Sequence, residues 1–166
     1  MDERSEPIRE RPHRLPRECY VGEILVSFTM CIRGQKNVFA AADTVLPMVE
    51  ILRQVCTSHV CAVPVYCFMP DHLHMIMEGR SQDSDLWNGA VEFKQRSGYW
   101  MRKHYVWARW QKDFHDHVIR KYEDLKAHIL YILENPIRKG LVEEWQEYPF
   151  SGCVGYESLE AVLNLL

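Results

Sequence analysis

The chain has 166 residues, 47% of them hydrophobic, which suits one packed core rather than two domains. Its six cysteines, at positions 19, 31, 56, 61, 67 and 153, form no Cys-x-x-Cys pair, which excludes a zinc ribbon or dithiol redox motif and leaves reduced, mostly buried thiols. The net charge of −3 speaks against nucleic acid only as an average: residues 94–121 hold eight Lys and Arg against two Asp, a local +6, while Glu143, Glu144, Glu147, Glu157 and Glu160 have no basic partner.

Residues 1–18 are rich in Arg, Glu and Pro and predict a flexible arm. Tyr20–Thr29 is β-branched and aromatic, a strand, followed by a loop at Gly34 and Asn37. Residues 41–59 place Val45, Met48, Val49, Leu52 and Val55 at helical spacing, with Asp43 or Thr44 as N-cap and Pro47 in the first turn. Residues 60–69 and 72–79 read as two strands of an antiparallel hairpin turning at Pro70-Asp71.

A second helix spans 84–105, with Leu86, Ala90, Phe93, Ser97 and Trp100 inward and Gly98 weakening it. After an irregular or short-strand stretch over 106–120, a third helix over 122–135 has Glu123 and Asp124 at its start. Its apolar stripe is Leu125, Ile129, Ile132 and Leu133; Pro136 ends it and Gly140 closes the following turn. The order β-α-β-β-α-(β)-α predicts an α+β fold, a ferredoxin-like antiparallel sheet with helices packed on one face. The expected divisions are the arm, one domain over 19–153, and an acidic and apolar tail over 154–166. No signal-like start and no eighteen-residue apolar run is present, so a cytoplasmic location is expected.

Within "MPDHLHMIM", residues 69–77, His72 and His74 fall two apart on a strand and so share one face. Two adjacent imidazoles can ligate one divalent cation and leave positions open. Alone, a His-x-His is more often two ordinary surface histidines. Tyr131 and Asn135 lie four residues apart on one face of the third helix, with His128 a turn before. A tyrosine can act as a nucleophile when its phenolate is favoured; equally, Tyr131 suits a half-buried core position. His115 and His117 form a second His-x-His, less suited to a metal because Asp116 interrupts it and no hydrophobic strand pattern surrounds it.

The set "MPDHLHMIM", "FKQRSGYWMRK", "WQKDFHDHVIR" and "YILENPIRKGLV", in this order, resembles the REP-associated tyrosine transposases, single-tyrosine HUH enzymes of the insertion-sequence 200-like superfamily. The likeness runs from about Tyr20 to Cys153. It implies metal ligation of Mg²⁺ or Mn²⁺ by His72, His74 and Asn135, with Tyr131 attacking a phosphodiester of single-stranded DNA. The product is a 5′-phosphotyrosine. Imidazole ligands lead us to expect Mn²⁺ to serve at least as well as Mg²⁺. One departure is Ser27 before Phe28-Thr29, with Cys31 after, where the family often has His and Arg.

The resemblance also implies hairpin or single-stranded DNA as partner. The basic segment mixes cations with Tyr99, Trp100, Tyr105, Trp107, Trp110 and Phe114, about half of which should be core. Phosphate contacts are expected from Arg96, Arg102, Lys103, Arg109, Lys112, Arg120, Arg138 and Lys139, with His117 toward the DNA. Both a monomer and a homodimer are compatible with the resemblance. A catalytically silent hairpin-binding module is the alternative reading, and a hydrolase whose histidines activate water is a third.

Overall fold

The computed structural model describes residues 14–121 and 123–166. Five antiparallel strands lie in the order β4-β1-β3-β2-β5: β1 (Leu25–Cys31), β2 (Cys61–Met69), β3 (His72–Gly79), β4 (His115–Ile119) and β5 (Ser151–Val154). The first four repeat the ferredoxin-like arrangement. Helices α1 (Ala42–Ser58) and α2 (Leu86–His104) form the crossovers, α3 (Leu125–Leu133) and the single turn α4 (Asn135–Arg138) follow β4, and α5 (Leu159–Asn164) ends the chain.

Strand alternation divides the apolar residues between two cores. Val26, Phe28 and Met30 of β1 and Leu73, Met75 and Met77 of β3 pack with Met48, Leu52, Ala90 and Phe93 of α1 and α2. On the opposite face Val65, Cys67, Met69 and Ile76 meet Ile129, Ile132 and Leu133 of α3 and Leu159 and Val162 of α5. The one-face expectation therefore describes α1 and α2, and α3 and α5 add a partial layer on the other side.

β3 occupies the residues expected. β1 starts later than expected, because Arg17–Tyr20 forms a 3₁₀ turn and Gly22 adopts φ +108°, which interrupts extended pairing. Gly22 and Gly79 meet there: a Cβ on Gly79 would lie 1.9 Å from the Gly22 carbonyl oxygen. Gly79→Ala is expected to destabilise the fold by about 2–4 kcal/mol through forced backbone displacement, readable as a lowered midpoint in urea unfolding.

α1 is capped by Ala41 without a side-chain bond, not by Asp43 or Thr44; Thr44 is buried and bonds the Tyr105 hydroxyl instead. Pro47 consequently sits in the second turn rather than the first. In α2, Asp85 caps the N-terminus, and Met101 fills the inward position expected of Trp100, which is half-buried and stacked on His104. Gly98 makes room for Trp110, whose indole donates to Ser97.

Of the arm expected over 1–18, residues 1–13 lie outside the described residues, while Arg14 pairs with Asp113 and lies over the Trp87 and Phe114 rings. The segment 154–166 is not a tail: β5 reaches Val154, and α5 buries Leu159 and Val162 in the second core. Among the described residues no helix is long and apolar enough to cross a membrane.

Candidate active site on the second sheet face

The Pro70-Asp71 turn starts β3 at His72, and the strand's alternation then sends Leu73, Met75 and Met77 into the first core. His72 and His74 must project from the opposite face. There they stand beside Cys31 and Thr29 of β1 and Met69 and Cys67 of β2.

The two rings are nearly perpendicular, with centroids 4.7 Å apart. Their Nε2 atoms converge to 3.1 Å. Each ring is held from its other nitrogen: His72 Nδ1 lies 2.6 Å from Asp71 Oδ1, and His74 Nδ1 lies 2.9 Å from Thr29 Oγ1. Burial lowers the His74 pKa to about 4, helped by the charges of His72 and Arg138. The ring is therefore neutral near pH 7 and keeps a lone pair for a Lewis acid.

Two Nε2 atoms at this separation match neighbouring ligands about 2.1 Å from one cation. Fixing the far nitrogen sets tautomer and ring orientation, as in ligating histidines generally. Asp71 and Thr29 were not singled out by sequence reasoning. Asp71 was readable as the acid next to the first histidine, whereas Thr29 emerges only from strand register.

α3 reaches this face because its apolar stripe, Ile129, Ile132 and Leu133, packs on the outer side of β2 and β3. Asp124 caps the helix by accepting from the Ala127 N–H, so the start lies three residues later than expected. The helix ends at Leu133, two residues before the expected end at Asn135, and Pro136 does not end it but lies in the first turn of α4, where its missing N–H is tolerated; Gly140, at φ +68°, closes the following turn as expected. With the stripe facing the sheet, Tyr131 is 61% exposed. The Arg138 guanidinium sits 4.1 Å from the Tyr131 ring centroid and donates to the Tyr131 carbonyl. α3, which carries Tyr131, thus packs on β2 and β3, the hairpin that holds the histidine pair.

Asn135 opens α4, and its buried Nδ2 has no hydrogen-bond partner among the described residues. An orphaned carboxamide is costly unless something else binds it. Rotation by half a turn presents Oδ1, an oxygen donor suited to a cation, so the donor set fits a divalent ion.

The expected DNA-contact residues fall into two groups. Arg138 and Lys139 follow α3 and Arg120 follows β4, while His117 alternates with Val118 and so shares the Ile119 side of β4, the side of the second core. Arg102, Lys103, Arg109 and Lys112 are exposed on α2 and the loop after it, on the α1–α2 side. Three of these, Arg102, Arg109 and Lys112, line a cavity of about 560 Å³ together with Lys94 and Trp87. Arg96 is instead engaged with Glu92 and Gln54, bracing α2 against α1. Of the six aromatics, Trp110 and Phe114 are buried, Trp100 and Tyr105 half-buried, and Tyr99 and Trp107 exposed.

His117 does not stand alone. Its Nε2 is 2.8 Å from Glu123 Oε2, which is also 3.1 Å from His128 Nε2. Glu123 and His128 were read from sequence only as a helix-start acid and a neighbour of Tyr131. Their meeting with His117 depends on the turn between β4 and α3, which no short motif marks.

The IS200-like transposase family model matches residues 20–135. A Haemophilus influenzae protein assigned to the REP-associated tyrosine transposases is 27% identical over 141 residues, covering 76% of this chain and 78% of its own. The REP-associated tyrosine transposase of Escherichia coli K12 is 28% identical over 89 residues, 54% of this chain and 52% of that protein. Among solved structures, a REP-associated tyrosine transposase bound to a REP hairpin has the same fold, with a TM-score of 0.69 at 22% identity over 84% of this chain and 80% of that one. The chain belongs to the IS200-like transposase family, with REP-associated tyrosine transposases among its relatives.

Proposed function

We propose that this DNA-processing protein is a metal-dependent single-stranded DNA endonuclease and strand-transferase acting on hairpin DNA, with Tyr131 as nucleophile. The observation that carries the reading is the convergence of two ring-fixed imidazole nitrogens on the sheet face against which α3, the helix carrying exposed Tyr131, packs. His72, His74 and Asn135 are the residues that would hold Mg²⁺ or Mn²⁺. When bound, the ion polarises the scissile phosphate and offsets charge developing on it.

Tyr131 Oη, losing its proton, forms a bond to phosphorus as the P–O bond to the 3′-oxygen breaks. The leaving oxygen takes a proton, giving a free 3′-hydroxyl and a 5′-phosphotyrosine. Because the new linkage is itself a phosphodiester, it conserves the bond for rejoining. Arg138 places a positive charge over the Tyr131 ring and within the same neighbourhood as a bound phosphate. Lys139 and Arg120 extend the basic surface near the site, while exposed Tyr99 and Trp107 supply stacking surfaces beside Lys103 and Lys36 on the other side.

The hairpin assignment rests on the relative solved with a REP hairpin. The cavity lined by Arg102, Arg109 and Lys112 favours a second reading, a binding module that holds hairpins without cutting. Labelled hairpin DNA from sequence flanking the gene, incubated with the protein and Mn²⁺, separates the two on a denaturing gel. We expect a protein-linked band that chelator removes. Binding without adduct or cleavage would support the module, and cleavage without adduct would support water-based hydrolysis.

A further inference from the structure

The cluster at the start of α3 has the composition and placement of a metal site of its own. Register pairs His117 with Ser27, whereas His74 pairs with Thr29 on the other side of β1. Two strand spacings, about 10 Å, therefore separate the two clusters laterally. One ion cannot serve both.

Three consecutive pieces of chain supply the donors. His117 comes from β4, Glu123 from the turn after it, and His128 from the first turns of α3. Their ligand atoms all lie within 4.8 Å of one another. The turn is closed by the Glu123 N–H donating to the Arg120 carbonyl, while the Arg120 N–H donates to Glu123 Oε1. This second bond aims the carboxylate and leaves Oε2 for the two rings. The rings themselves stack, 5.9 Å apart at 26°.

We propose that His117, Glu123 and His128 form a second metal site, separate from His72 and His74, that takes Zn²⁺ or a similar first-row transition ion. Two imidazoles and one carboxylate are a donor set that Zn²⁺ uses in open sites and that Mg²⁺ does not favour. One carboxylate oxygen shared by two Nε2 atoms is an arrangement in which one cation replaces two Nε2 protons, each ring carrying its proton on Nδ1 instead. The Glu123 carboxylate, held by the Arg120 N–H through Oε1, presents Oε2 to both rings. His117 is exposed and His128 half-buried, which leaves coordination positions for water.

The bond would fasten the start of α3 to the edge strand β4. Tyr131 lies one turn beyond His128, so an ion here stiffens the helix that carries the proposed nucleophile without touching it. The inference is independent of the DNA chemistry and is tested without DNA.

Zn²⁺ is titrated in competition with a chromogenic chelator, using the wild-type chain, Glu123→Gln, and the His72→Ala/His74→Ala double variant. Glutamine retains an acceptor for the Arg120 N–H, and circular dichroism checks each fold. We expect two sites in the wild type, one in Glu123→Gln, and one in the double variant whose affinity falls at least tenfold when His128→Gln is added. Unchanged stoichiometry in Glu123→Gln would overturn the proposal even if the double variant failed to fold. Co²⁺ supplies an independent readout: visible bands without a thiolate charge-transfer band support the site, and a thiolate band that persists in Glu123→Gln assigns the ion to cysteine and overturns it.

Discussion

Replacing Tyr131 by phenylalanine is expected to reduce covalent adduct formation by at least about 10³-fold, to background, while leaving fold and hairpin binding nearly intact. The magnitude follows from removing the nucleophile itself rather than weakening an interaction around it. The selectivity follows from position. Tyr131 is 61% exposed, on the side of α3 away from Ile129, Ile132 and Leu133, so loss of its hydroxyl leaves no hole in the second core. The phenyl ring still offers a face to Arg138, and the bond from Arg138 to the backbone carbonyl at this position does not involve the side chain. Single-turnover cleavage, hairpin affinity and a thermal melt on the same preparation check the three parts together. A Tyr131→Phe variant that still forms the adduct would show that another residue attacks.

His74→Ala is expected to cost at least about 10²-fold in Mn²⁺-dependent cleavage, and raising Mn²⁺ should not restore it. His74 has one nitrogen toward His72 and the other on Thr29, and its neutral ring is ready to ligate. Thr29→Val makes the more diagnostic comparison. Valine keeps the shape of threonine on β1 and removes only the hydroxyl that fixes the ring. Outer-shell groups of this kind typically contribute about 10–100-fold to metal affinity. The Thr29→Val variant should therefore shift the Mn²⁺ dependence to higher concentration and recover most of its rate at saturation. Equal, unrecoverable losses in both variants would instead mean that the hydroxyl serves the chemistry directly.

The histidine pair was legible because both signals were local. A Pro-Asp turn fixes where β3 begins, and the period of two then dictates which residues share a face. Tyr131 was legible as a position on the third helix, whereas Asn135, expected on the same helix, lies past the break at Glu134 as the first residue of α4. What escaped was set by contacts between elements: Thr29 supports His74 through the β1–β3 register, and the Glu123 cluster needs the turn that brings β4 to α3. Polar composition misled at the C-terminus, where an acidic stretch surrounds the few apolar residues that make β5 and α5 part of the second core. Gly22 shortened β1 for a reason invisible in its neighbours, the close approach of Gly79. The basic segment was legible as charge but not as a surface, since Arg96 is engaged between α2 and α1 while Arg102, Arg109 and Lys112 line one cavity.

Locating the covalent bond decides whether Tyr131 is the nucleophile. After reaction with hairpin DNA and Mn²⁺, the adduct is digested with nuclease and protease and its peptides are sequenced by mass spectrometry. We expect a nucleotide joined through its 5′-phosphate to the peptide containing Tyr131, and to no other. Attachment at Tyr99, Tyr105 or any residue other than Tyr131, or complete cleavage with no modified peptide, would contradict the assignment.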